Sequence, residues 1–275
     1  MATDLSFITV CKGRLQHLKQ TLPLIAGVPG AETVVVDYGC PQGTGAWVAE
    51  NFPGVKLVRV DDDPGFCVAR GRNLGARAAA SQRLCFVDAD VKVRGGFVPW
   101  LRENARPRHF YRAWPLLPDT WGTFICPAED FAAVGGFDEA LRGWGGEDDD
   151  LYMRLQDGGC RQSVFPAELV EALKHEDAER VAFYDIKDRW VHHRVNLVYL
   201  AAKTDLARIL ARPLSLAERQ HLFAESQKGV ATVEPGSAAA VLEVKLPADP
   251  RLPSQPEWVM EHRLVYRFSR RPDRQ

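Results

Sequence analysis

Asp88-Ala89-Asp90 closes the apolar run RLCFV, and Glu147-Asp148-Asp149-Asp150 follows the glycine-rich GWGG. Two carboxylates leaving a buried strand at i and i+2 can reach one small volume. Hard divalent cations such as Mn2+ or Mg2+ take oxygen ligands of that kind together with substrate phosphates. Two acids at a strand end also fit a solvated turn. His175, in LKHED, offers a third ligand far along the chain, with His192 and His193 as competitors for the role. His175 ranks first because it follows an expected strand and short loop, whereas the other two lie in helix-forming sequence.

The second acidic cluster needs its own account. Acids in the first turn of a helix are favoured by ~0.3–1 kcal/mol each, and one or two satisfy that effect. Asp148 precedes Leu151 by three positions and Leu155 by seven, so it shares the face that packs inward. A carboxylate at the head of a buried face belongs in a cleft rather than on a solvated surface. Gly143, Gly145 and Gly146 let backbone approach a ligand closely, and Trp144 presents the flat apolar surface on which sugar rings stack.

These residues must be carried by elements legible in the first ninety residues. Segments 6–11, 33–37, 55–60 and 83–88 are short β-branched runs that read as strands, and 14–26, 44–51 and 67–80 read as helices. The βαβ rhythm implies a mostly parallel sheet flanked by helices, with ligands bound beyond the carboxyl ends of the strands. Thr9, Lys12 and Arg14 then surround the first strand-to-helix turn, where doubly wound folds hold nucleotides. Asp37 would accept hydrogen bonds from a base or ribose, or cap its own turn. In GFCVARGRNLGA, Arg70, Asn73 and Arg77 fall at helical spacing beside Arg72. Arginine forks suit phosphate oxygens, and the asparagine can bind a ribose or fix a loop. The turn has one glycine, so neither a P-loop nor a G-x-G-x-x-G fingerprint is present, which argues against an ATPase or a dehydrogenase. From 96 to 142 the pattern is irregular, with strands expected at 109–113 and 122–127 and a short helix at 128–134. A helix is expected over 147–157, residues 178–225 are rich in helix formers, and 229–256 is broken by Pro, Gly and Ser, which puts a soft boundary near 226. The tail 257–271 fits either a strand or an amphipathic helix.

The 275 residues are 46% hydrophobic, enough for one large core with an appendage, and 35 basic against 36 acidic side chains leave a formal net charge of -1. No overall field favours nucleic acid or an anionic membrane. The six scattered cysteines form no C-x-x-C pair and read as reduced core residues. The N-terminus lacks a basic, apolar leader, and no stretch approaches the ~20 apolar residues of a membrane span, so a soluble cytoplasmic protein is expected.

GWGGEDDDLYMRL, preceded by GGFDE, resembles the acceptor-side motif of the β-1,4-galactosyltransferases and their relatives among the polypeptide N-acetylgalactosaminyltransferases and chondroitin polymerases. FITVCKGR, VVVDYGC, ARGRNLGA and LCFVDADV resemble, in that order, the nucleotide-binding segments of family 2 type GT-A glycosyltransferases. The likeness runs over roughly residues 6–180 and is most specific in the octet. It implies that Asp90 binds a Mn2+ (or Mg2+) bridging the donor's phosphates, with Asp88 near the ribose or metal and His175 closing the metal site. Thr9, Arg14 and Asp37, with Lys12, would line the nucleotide pocket, and Arg70, Arg72 and Asn73 would face ribose or phosphate. Trp144, Gly145 and Gly146 would shape the sugar and acceptor site, Glu147 would hold the donor sugar or acceptor hydroxyl, and Asp148 would be the general base. The E-D-D form implies inversion, since relatives that retain carry E-N after W-G-G. The expectation is a GT-A nucleotide-sugar-binding and catalytic domain over 1–180 and a C-terminal extension over 181–275, partly packed on it. The expected reaction is metal-dependent, inverting transfer of a Gal, GalNAc or Glc type hexose from a UDP-sugar to a glycan or other hydroxyl acceptor. A sugar-nucleotide pyrophosphorylase and a non-catalytic carbohydrate-binding module are the alternatives.

Overall fold

A computed structural model describes residues 4–233, 239–246, 257 and 261–269. The chain divides into two compact units, one of residues 1–138 with 147–185 and one of 139–146 with 186–275.

In the first unit, β1 (Leu5–Cys11), β2 (Ala31–Asp37), β3 (Lys56–Arg59) and β4 (Arg83–Phe86) alternate with α1 (Leu15–Ile25), α2 (Thr44–Asn51) and α3 (Val68–Ala78). β5 (Val91–Val93), α4 (Phe97–Asn104), β6 (His109–Trp114), β7 (Phe124–Pro127), α5 (Ala128–Ala133), α6 (Glu147–Asp157), β8 (Arg161–Pro166), β9 (Val170–Ala172) and α7 (Asp177–Val181) complete it. The sheet runs β3-β2-β1-β4-β7-β6-β8. β1 is parallel to β2 and β4, β2 to β3, and β6 to β8, while β7 is antiparallel to β4 and β6. Parallel strands covered on both faces read as continuous apolar runs, and β1 and β2 are buried along nearly their whole length. This is the mixed α/β, mostly parallel architecture the rhythm predicts.

Register decides what meets at the sheet's edge. Cys11 lies opposite Asp37, so β1 and β2 end together, while Phe86, the last residue of β4, lies opposite Ile8, three positions earlier. Because β7 runs the other way, Phe124 faces Phe86, which brings the residues before β7 to the edge where β4 releases Asp88. β5 and β9 pair antiparallel beside it, and Leu173 N–H donates to Asp90 O (2.7 Å).

The helices seal both faces. α1 buries Leu15, Leu18, Leu22 and Ile25, the spacing of one helical face. α3 lies close to β1 and β2 because Gly71 and Gly75 sit where a Cβ would collide with Val10 and Ile8. α4, in the stretch that reads as irregular, carries Pro99 in its first turn, where the missing N–H costs nothing. All six cysteines are buried and unbridged.

In the second unit, α8 (Arg189–Leu210) and α9 (Leu216–Ala231) pack Val195, Tyr199, Ala202, Leu222 and Phe223 together with Ala140 and Leu141. β10 (Ala239–Lys245) and β11 (Arg263–Ser269) form an antiparallel pair. The tail is therefore a strand over Arg263–Ser269, while 258–260 and 270–271 lie outside the described residues. No helix among the described residues is long and apolar enough to cross a membrane.

Gly75→Val forces bulk between α3 and β1, and overpacking of that kind costs ~1–3 kcal/mol. A lowered thermal midpoint with an unchanged far-UV circular dichroism spectrum is the expected result.

Candidate active site

The strand edge carries two charge clusters. In the first, Arg72 of α3 is only 4% exposed and reaches three carboxylates. Its Nη2 donates to Asp88 Oδ1 (2.7 Å), and its Nη1 donates to Asp148 Oδ1 (2.7 Å) and Glu147 Oε1 (3.5 Å). The acids that follow β4 and the acids that open α6 thus share one guanidinium. As its spacing from Leu151 and Leu155 predicts, Asp148 is buried, 7% exposed, with Glu147 at 8%.

Room for this cluster comes from Gly122, whose missing Cβ would lie 2.8 Å from Asp88 Oδ2 and 3.3 Å from Asp148 Oδ2 and would collide with Arg72. Nothing in the sequence singles out Gly122. The start of α6 is braced by neighbours: Asp149 accepts from Trp121 Nε1 (3.0 Å), Tyr152 Oη donates to Trp121 O (2.7 Å), and Arg154 pairs with Asp150 (2.7 Å). Arg112 lies 3.5 Å from the Trp121 ring centre and 4.5 Å from that of Tyr152.

Burial and crowding set the protonation of these acids. Burial first, and then the neighbouring Asp148 charge, raise Glu147 to about 8 against the pull of Arg72. Burial likewise raises Asp148 to about 6, with Arg72 opposing and Asp88 and Asp149 adding repulsion. The three carboxylate charges outweigh burial and hold Arg72 firmly protonated.

In the second cluster, His175 Nε2 and Asp90 Oδ2 stand 2.8 Å apart, and Arg14 Nη1 reaches Asp90 (3.5 Å) and Glu179 (3.3 Å). Burial disfavours the Asp90 charge, but the hydrogen bond from His175 and the charge of Arg14 prevail and lower its pKa; the same bond raises that of His175. One carboxylate and one imidazole, with Asp88 two positions away, match a divalent cation whose remaining ligands are waters and donor phosphates. Among the described residues no group of three or more His, Cys, Asp or Glu side chains is placed to hold a metal ion by itself. His192 and His193 lie in the second unit, where His192 Nε2 bonds Ile186 O (2.8 Å) and His193 faces Trp190.

The other predicted residues have specific local duties. Asp37 caps its own turn, accepting from Cys40 N (2.9 Å) and Gly45 N (2.9 Å). Lys12 donates to Gly65 O (2.6 Å) and Pro64 O (3.3 Å). Arg70 pairs with Asp62 (2.7 Å) and Asp63 (3.7 Å). Asn73 fixes a loop with both ends of its amide, donating to Phe137 O (2.9 Å) and accepting from Phe137 N (2.8 Å). Thr9 Oγ1 is buried with no hydrogen-bond partner among the described residues. Trp144, Gly145 and Gly146 belong to the second unit, where Asn196 Nδ2 donates to Trp144 O (3.1 Å) and to Gly145 O.

A family model, the N-terminal domain of galactosyltransferase, matches residues 118–179. Validoxylamine A glucosyltransferase of Streptomyces hygroscopicus subsp. limoneus is 37% identical over 192 residues, covering 48% of this chain and 42% of that enzyme. Its counterpart from S. hygroscopicus subsp. jinggangensis is covered over 53% of its length, so the chain spans about half of these curated relatives. Among solved structures, S. aureus TarS in complex with UDP-GlcNAc is 16% identical, with a TM-score of 0.58 over 83% of this chain and 72% of that one. The mannosyltransferase PcManGT from Pyrobaculum calidifontis, solved with GDP-Man and Mn2+, is 19% identical, with a TM-score of 0.56 over 84% and 74%. The fold is that of the GT-A glycosyltransferases.

An acid whose folded pKa is raised lends stability that is full below its unfolded value, near 4.5 for Glu147, and is lost as pH climbs through the folded one. The wild-type melting temperature should fall as pH rises from about 5 to 8, and Glu147→Gln should flatten that slope. Parallel slopes for the two proteins would show that Glu147 is ionised throughout.

Proposed function

We propose that the chain is a metal-dependent, inverting glycosyltransferase that moves a Gal, GalNAc or Glc type hexose from a UDP-sugar to a hydroxyl acceptor. The observation that carries this reading is the single guanidinium shared by Asp88 and Asp148. It puts a carboxylate suited to proton abstraction and one of the acids suited to a cation on the same partner. The glycosyltransferase names of the partial relatives support it, as does the Mn2+ bound with GDP-Man in the mannosyltransferase of like fold.

In this reading Asp90 and His175, with Asp88 alongside, would hold a Mn2+ or Mg2+, which would supply positive charge to offset that of the nucleoside diphosphate. Asp148 takes the proton of the acceptor hydroxyl as that oxygen bonds to the anomeric carbon. The bond from that carbon to the diphosphate oxygen breaks on the opposite face, which inverts the centre. Arg72 keeps Asp148 ionised and aimed. Glu147, protonated at neutral pH, donates a hydrogen bond to a sugar hydroxyl instead of competing for the proton. Arg14, beside Asp90, balances phosphate charge. Thr9 Oγ1, near the end of β1, is a hydrogen-bonding group for the nucleoside.

Turnover should rise with pH through about 6 as Asp148 loses its proton. Asp148→Asn should lower it by ~10²–10⁴-fold while UDP binding persists. Near-normal turnover in that variant would remove Asp148 as the base. In a separate calorimetric titration, UDP should bind wild type only with Mn2+ present, and Asp90→Ala should abolish that binding.

A further inference from the structure

A cavity of about 590 Å3 opens between residues 117–119 and β9. This volume lies within the ~300–1,000 Å3 of small-molecule sites. Both walls run into the candidate site. On one side, Asp119 leads through Thr120 and Trp121 to Gly122, whose missing side chain would touch Asp88 and Asp148. On the other, Ala172 lies opposite Val91, the residue after Asp90, and Lys174 precedes the His175 that bonds Asp90. A ligand in the cavity therefore touches the two segments that lead into the site, one towards Gly122 and the other towards His175.

Its chemistry narrows the ligand. Leu117, Pro118, Val170 and Ala172 give an apolar lining. The charged groups largely cancel: Arg94 pairs with Glu171 (2.8 Å) and Asp119 with Arg180 (2.5 Å). Glu168 and Lys174 add one charge of each sign to the rim. Such a lining holds no net field for an anion or a cation. It offers apolar surface to the C–H faces of pyranose rings and both donors and acceptors to their hydroxyls.

We propose that this cavity is an acceptor subsite that binds the neutral sugar residues lying beyond the reacting hydroxyl. The assignment rests on the transferase reading, because it gives the cavity to the substrate that Asp148 deprotonates. It excludes the nucleotide, whose diphosphate requires the cationic side of Asp90 and Arg14. It also disfavours acidic or phosphorylated acceptors, because the lining carries no surplus of cationic side chains over carboxylates to hold an anion.

Saturation-transfer NMR with UDP and Mn2+ present tests the proposal on a panel of maltotriose, cellotriose, chitotriose, xylotriose and mannotriose, with glucuronate as a charged comparator. Glu168→Trp places bulk at an exposed position on the rim, and Leu117→Trp places it at a half-buried position on the opposite wall; thermal melts establish that each is folded. At least one neutral trisaccharide should bind wild type, both variants should weaken it at least tenfold, and UDP affinity should stay within twofold. Wild type that binds UDP but no neutral trisaccharide overturns the subsite alone. So does a trisaccharide indifferent to both substitutions, or a preference for glucuronate. Wild type that binds a trisaccharide but never UDP overturns the transferase reading, and the acceptor assignment with it.

Discussion

The Arg72 guanidinium is the constraint around which the first unit's functional edge is arranged. A charge 4% exposed survives in a folded chain only if opposite charges and hydrogen bonds replace water, and Asp88, Asp148 and Glu147 do so here. Removing one partner from such a group leaves buried charge uncompensated, which is far costlier than losing a surface pair. Features distant in sequence serve it. Gly71 and Gly75 let α3 settle against β1 and β2. Asn73 clamps Phe137, ahead of the acids that open α6, and Gly122 leaves the space the guanidinium fills.

One cation against three acids, two of them buried, cannot balance, and the imbalance divides the edge into two chemical halves. Around Arg72 the surplus negative charge and burial push Glu147 and Asp148 upward, so a proton is retained close to Asp148. Around Asp90 the situation reverses, because Arg14 and His175 supply positive partners and its carboxyl stays ionised. Acids pushed apart in this way are how one cleft handles protons and a cation together. On the proposed reaction, the half that holds a proton would face the acceptor and the ionised half the diphosphate.

The alternating strands and helices were legible because fully buried parallel strands must be continuously apolar, and Asp148 was legible from its distances to Leu151 and Leu155 along one helix. The role of Arg72 was not. Helical spacing drew Arg70, Asn73 and Arg77 into one polar edge, yet Arg72 and Asn73 are buried, since their partners lie 76 and 64 positions away and leave no local pattern. Asp37 and Asn73 each left two readings open in sequence, a ligand contact or a local brace, and every hydrogen bond given above for them is a brace. α4, β5 and β9 escaped for a different reason: eight residues holding a proline, and strands of three residues, carry too little periodicity to separate from loop. The joining of 139–146 with the residues after 185 is equally invisible, because the two stretches are separated by two helices and two strands.

The octet GWGGEDDD combines two costs, flexible backbone and crowded charge, and each has a separate reason. Gly143, Gly145 and Gly146 all hold positive φ, at 110°, 82° and 92°, a region that L side chains rarely enter. They are required by the path of the chain whether or not a ligand approaches. The acids are not a solvated run either, because each has its own partner: Arg72 for Glu147 and Asp148, Trp121 Nε1 for Asp149, and Arg154 for Asp150. Helix-dipole stabilisation alone would be satisfied by any of them, and it cannot explain why three of the four are buried. Burying carboxylates is justified by what they hold in place: Asp150 braces α6 through Arg154, Asp149 fixes Trp121 beside Gly122, and Glu147 and Asp148 are left facing the one guanidinium that connects them to Asp88.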